Sequence, residues 1–220
     1  MGTTRLRVSF WGLVAAVAMA VPVAEATSVS YYLDQSNVLP DGVNRLTVRI
    51  YADQDACAAG AICFEVAPLP GAFTPGTNFG IQEFGFNISS SDPPTGTPVV
   101  HPPTGWSVGT DQNISEFGVF DLAISGTGSN RQSPLNFWIA AADDTLASYF
   151  GLSAPHNNGG TANFVAHVAG FVLPGTELDS GFFAGGPPVQ VVPLPATAWL
   201  LLSGVAGLGA LARRRRPAAA

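Results

Sequence analysis

Between residues 27 and 191 apolar and polar residues alternate with a period of two, a pattern that admits strands and excludes all but the shortest helices. Leu46, Val48 and Ile50 alternate with Arg45, Thr47, Arg49 and Tyr51. Ile62, Phe64 and Val66 alternate with Cys63 and Glu65, and Phe84, Phe86 and Ile88 share one face. Phe120, Leu122 and Ile124, then Leu135, Phe137 and Ile139, then Phe164, Ala166 and Val168 repeat the pattern. Val29–Leu33 and Gly105–Val108 read as further strands. Turn chemistry separates the runs: Pro40-Asp41-Gly42, Pro68-Leu69-Pro70-Gly71, Gly126-Thr127-Gly128 and Asn157-Asn158-Gly159-Gly160 tolerate positive φ or fix it near −65°. The Pro/Thr/Gly stretch from Ser91 to Thr104 reads as a long loop. Asp143 or Asp144 is placed to cap one short helix through Leu146, Tyr149 and Phe150, ended by Gly151. About eight short strands and one helical turn predict an all-β domain over 27–174, a β-sandwich of jelly-roll-like form. The Gly- and Pro-rich stretch 175–191 reads as a stalk.

Charge narrows the function classes. The chain of 220 residues has 11% charged residues and no lysine. Of its nine basic and 15 acidic residues, residues 27–192 keep three arginines (Arg45, Arg49, Arg131) and 14 acids, a net charge of 3 − 14 = −11. Nucleic-acid binding needs clustered positive charge and is excluded. Such a surface also repels anionic polymers unless cations bridge them.

Both ends carry addresses. Arg5 and Arg7 precede a 12-residue apolar run, Phe10 to Val21, and then Ala24-Glu25-Ala26. A basic start, a short apolar core and small residues at the two positions a signal peptidase reads make 1–26 a secretory signal peptide, cut before Thr27. Twelve helical residues span roughly 18 Å, too short for a membrane anchor. At the other end, Val192-Pro193-Leu194-Pro195-Ala196 leads into an apolar stretch from Ala196 to Ala212, closed by Arg213, Arg214, Arg215 and Arg216. Its 17 residues rise about 25 Å as a helix, enough for a transmembrane span. The arginines would stay on the cytoplasmic side.

This tail resembles the PEP-CTERM sorting signals of Gram-negative bacteria, the substrates of exosortase-type processing enzymes. The resemblance covers about 25 residues, 192–216: the Val192–Ala196 motif, Trp199, Leu200 to Leu202, Gly204, Gly207, Leu208, Leu211 and the four arginines. Leu194 stands where the usual motif has glutamate between the prolines. The resemblance implies export to the cell surface or beyond, commonly alongside exopolysaccharide production. It implies nothing about the fold of the body. Three rival readings of the tail are a sortase motif at Leu194–Ala198, which lacks the usual spacer; a GPI signal, which does not end in arginines; and a plain membrane anchor with no processing.

The body offers candidates rather than a catalytic set. Cys57 and Cys63 are the only cysteines, and in an exported chain a disulfide is expected. His101 and His156 read as loop residues and His167 as mid-strand, with no zinc spacing among them and no metal site expected. Calcium is the one ion the acids could invite, through Asp53, Asp55 and carbonyls near Gly60, or through Asp34, Asn37 and Asp41. Asp143-Asp144 and Asp53-Gln54-Asp55 raise a glycosidase pair whose separation the sequence does not fix. No Gly-x-Ser-x-Gly elbow accompanies the serines. Trp138, opposite the apolar side of its strand, and Trp106 could line a sugar-binding face; the alternative is that both faces of a sandwich-core strand are buried or that Trp138 packs under the helix. Asn87-Ile88-Ser89 and Asn113-Ile114-Ser115 match glycosylation acceptors that a bacterial host leaves idle.

The expectation is a secreted or cell-surface protein, structural or adhesive in an extracellular polysaccharide or biofilm matrix, and not an enzyme. Its expected partners are the processing enzyme, the membrane through the C-terminal helix, and polysaccharide. The alternative is a carbohydrate-binding module tethering exopolysaccharide to the surface, with a glycan-active enzyme behind it.

Overall fold

The computed structural model describes residues 28–52, 57–58, 60–140, 144–157, 159–173, 175 and 179–189. Within them are β1 (Ser28–Ser36), β2 (Leu46–Tyr51), β3 (Ala61–Pro68), β4 (Thr74–Phe86), β5 (Val99–His101), β6 (Ser107–Asn113), β7 (Val119–Ser125), β8 (Leu135–Ala140), β9 (Phe164–Val172) and β10 (Asp179–Val189). Two single turns of 3-10 helix, Ser115–Phe117 and Leu146–Tyr149, are the helical content described. The described body is all-β, as the period-two pattern predicts.

The strands form one sheet in the order β5-β8-β3-β2-β1-β10-β9-β4-β7-β6, with antiparallel pairing throughout. Laid flat, ten strands would separate the outer two by about 43 Å at roughly 4.8 Å per spacing. Yet β5 ends at His101 and β6 begins at Ser107, and the intervening chain reaches at most about 20 Å. The sheet must therefore curl until its two edges approach, giving a nearly closed wall between a barrel and a sandwich. Three of the pairings, β1 with β10, β3 with β8 and β4 with β7, nest about that β5–β6 connection.

The apolar side of each run faces inward. Leu46, Val48, Ile50, Phe64, Val66, Leu135, Ile139, Phe84, Phe86, Ile124, Phe164, Ala166 and Val168 are fully buried. Rings close the gap between the two halves. Phe64 of β3 meets Phe86 of β4 at 5.2 Å between centroids, Phe137 of β8 meets Phe84 and Phe86 at 5.8 and 5.6 Å, and Tyr31 of β1 meets Phe164 of β9 at 4.9 Å.

Three expectations need correction. The expected stalk is largely a strand: residues 179–189 form β10, which lies inside the sheet between β1 and β9. Its glycines reflect crowding, not slack. A Cβ on Gly185 would collide with the Tyr32 carbonyl, and Gly186, at φ +154°, lies against the Asn163 side chain. The β1–β10 ladder is correspondingly irregular, with register shifts on both sides of Leu33. Second, the expected loop 91–104 contains edge strand β5, which also makes His101 a strand residue. Third, Thr145, not Asp144, caps the 3-10 turn, in a capping box with Ser148; Asp143 lies outside the described residues. Asp144 instead receives the Tyr149 hydroxyl at 2.5 Å and the Thr95 amide and hydroxyl at 2.9 and 3.0 Å, tying the β4–β5 connection to the turn. Desolvation pushes its carboxyl up, but those three hydrogen bonds together outweigh this and hold its pKa below the ordinary value.

Removal of β10 would leave facing edges on β1 and β9, strip the fully buried Phe183 and Ala184 from the core, and uncover Phe171, whose ring packs on Phe183. A chain stopped after Leu178 is expected to lose cooperative thermal unfolding and to aggregate. Near-UV circular dichroism and size-exclusion chromatography check this against a chain stopped after Pro195, which should fold.

Candidate functional site

Outward-facing residues of the first half line up across the ladder. Ser28 pairs with Tyr51, Tyr51 with Cys63, Cys63 with Trp138 and Trp138 with His101, one continuous row over five strands. The neighbouring row on the same face is Ser30, Arg49, Glu65 and Asn136. Alternation makes this face by default: each of these residues flanks a core residue of its own strand.

Chemistry concentrates where the rows meet. The His101 imidazole lies flat on the Trp138 indole, 3.6 Å between centroids and 10° between planes. Arg49 holds its guanidinium 4.4 Å from the Tyr51 ring centroid and 3.8 Å from the Glu65 carboxylate. That ion pair is well exposed and adds little stability. Cys57 and Cys63 are disulfide-bonded, with Cα atoms 6.2 Å apart. Beside the bond lies a cleft of about 290 Å³ lined by Tyr51, both cysteines, Phe64, His101, Pro102, Pro103, Thr104, Asn136, Phe137 and Trp138. Trp138 thus joins the disulfide and His101 in one place, a convergence that no spacing in the sequence reveals because it is created by register. Trp106 does not belong to it: its indole is buried and donates to the Asn130 carbonyl at 2.8 Å.

The other expected residues are dispersed. His156 is exposed on a loop. The Asn37 side chain accepts from the Phe182 amide at 2.9 Å, that of Asp41 from the Ser36 amide at 2.7 Å, and the Asp34 carbonyl from the Gly42 amide at 2.7 Å, so this trio serves the β1–β2 turn and β10. Among the described residues no group of three or more His, Cys, Asp and Glu could hold a metal. Asp53 and Asp55, signal-cleavage residues Ala24 and Ala26, and sorting residues Val192–Ala196 and Arg213–Arg216 lie outside the described residues. So does the expected span 196–212; among the described residues no helix is long and apolar enough to cross a membrane. Asn87, 1% exposed, donates to the Ala162 and Asn163 carbonyls and accepts from the Asp121 amide, which leaves its amide no room for a glycan.

A second outward row crosses the other half: Phe182, His167, Glu83, Ser125 and Ser107. His167 stacks on Phe182 at 4.4 Å. Burial, and then the Arg131 charge, lower the His167 pKa; burial raises that of Glu83. The carboxylate sits between the serine and the imidazole, an order that cannot relay a proton from hydroxyl to imidazole to carboxylate. The row is a semi-buried polar seam, and among the described residues it is the Trp138 cleft that combines space, apolar rings and hydrogen-bonding groups.

Compared with family models, curated proteins and solved structures, the chain matches none.

Two measurements follow from these interactions. Replacing both cysteines with alanine should lower unfolding free energy by about 2 kcal/mol in the chain-entropy model for so short a loop, read from denaturant unfolding. For Glu83, a folded pKa above the unfolded value of about 4.3 means that ionisation penalises the folded state. The penalty is absent below the unfolded pKa and complete above the folded one. Glu83→Gln should therefore raise the melting temperature near pH 7, with the gain vanishing by about pH 3.

Proposed function

We propose that this is an exported protein sorted to the cell surface or beyond by an exosortase-type signal, with a structural or adhesive role in an extracellular polysaccharide or biofilm matrix. The signal peptide 1–26 directs export. The motif Val192–Ala196 is the recognition element for the processing enzyme. The apolar stretch 196–212 spans the inner membrane until processing, and Arg213–Arg216 hold its end inside.

The observation that carries this reading is the order of motif, apolar stretch and arginine block in the tail. The fold is compatible with it, because β10 ends at Val189, ahead of the motif, and a cut beyond Pro195 would leave every described strand whole. The nested pairings support a jelly-roll-like β-sandwich as the finer form of the body, a shape whose function lies in its surface and loops.

Intact mass of the protein from membrane and extracellular fractions of its native host tests the proposal. The expected extracellular species begins at Thr27 and lacks everything after about Pro195. A species that retains Arg213–Arg216 and occurs only in membranes would make the tail a plain anchor and end the sorting reading.

A further inference from the structure

We propose that the cleft between Tyr51 and Trp138 is a binding site for an uncharged hexopyranosyl unit of an extracellular polysaccharide. The matrix reading above supplies the choice of a polymer ligand; the site itself stands on the geometry.

A pyranose ring has C–H faces that pack on aromatic rings and equatorial hydroxyls that need hydrogen-bonding partners, so its site must supply both. Sites of this kind are concave and largely preformed, with a few polar groups setting orientation. The cleft supplies the rings of Tyr51 and Trp138, and the stack of His101 on Trp138 holds the indole in place. The Asn136 amide supplies donors and an acceptor, and the Thr104 hydroxyl supplies one of each. The disulfide anchors the edge of the cleft to β3, so little ordering remains to oppose binding.

Charge selects among sugars. Among the described residues that line the cleft none carries a carboxylate or guanidinium, and the nearest guanidinium, that of Arg49 over the Tyr51 ring, is paired with Glu65, so no unpaired guanidinium is there to hold an acidic sugar. The body's net charge of −11 repels acidic polymers at longer range. An uncharged sugar meets neither obstacle. The cleft's volume of about 290 Å³ suits one sugar ring rather than a long chain segment, so affinity per unit should be weak and adhesion should come from repeated contacts along a polymer.

Affinity electrophoresis of the protein recovered from its host, through gels containing galactomannan, hydroxyethylcellulose, dextran or polygalacturonate, tests the site. At least one of the three uncharged polymers should retard the protein, and polygalacturonate should not. Trp138→Ala should weaken retardation at least tenfold. Asn136→Ala, at an exposed position that leaves the core untouched, should weaken it several-fold without changing the melting temperature. Absence of retardation by all three uncharged polymers, retention by polygalacturonate alone, or variants that bind like the parent would each overturn the proposal. The outcome is separable from the sorting reading: a correctly processed mass with no binding ends the cleft proposal alone, and binding by a protein that keeps its tail ends the sorting reading alone.

Discussion

The contact on which the structure depends is the layer of rings between the two halves of the sheet. Phe64 and Phe137 lie parallel at 4.6 Å on one half, while Phe84 and Phe86 lie 5.9 Å apart on the other and touch the first pair from across the core. Tyr149 closes one end, with its ring edge against Phe64 and Phe86 and its hydroxyl on Asp144. Burying a large ring contributes roughly 1.5–3 kcal/mol, and offset or edge contacts between rings add about 0.5–1.5 kcal/mol each. A sheet this wide closes only if something between its halves rewards closure. Here that reward comes from aromatics spaced two apart on strands distant in sequence.

The same alternation that aims those rings inward explains what was legible beforehand. Each of the runs at 46–50, 62–66, 84–86, 135–139 and 164–168 is a strand with its apolar side buried, since a period of two leaves only one way to bury one face. β10 was not legible because its composition, Gly181, Gly185, Gly186, Pro187 and Pro188, is that of a linker. In the fold those glycines answer contacts from Val38, Tyr32 and Asn163, which belong to segments some 20 to 150 residues away in sequence. β5 was hidden for a related reason. Three residues are too few to show a period, and their pairing comes from β8, nearly 40 residues later.

The candidate site was legible only in part. Trp138 follows from its position opposite an apolar strand face, and the cysteine pair follows from the export signal. Their meeting with Tyr51 and His101 does not, because it depends on the β2–β3–β8–β5 register, which no local pattern contains. Trp106 shows the opposite limit. It precedes β6 in sequence, yet its indole turns inward beneath Gly126, where a side chain in place of the glycine would strike the ring.

The two outer faces are unequal, and this bears on where a ligand can dock. On the second half, Phe120, Ala123, Val165 and Ala184 are covered by Ile114, Phe117 and Ala162 to form a small buried cluster. The segments that cover it are fastened by backbone pairing of Val119 with Ala154 and by the Ser153 hydroxyl, which donates to the Phe117 carbonyl and accepts from the Ala162 amide. Ring and alkyl surface there is already spent within the chain. On the first half, the row from Tyr51 to His101 carries its aromatic surface at the rim of a cleft instead. Surface that packs against its own chain contributes stability and is closed to partners, whereas the cleft keeps rings and hydrogen-bonding groups within reach of solvent. A body whose outward function is adhesion would present its contacts from this half, with the capped half serving to hold the sheet shut.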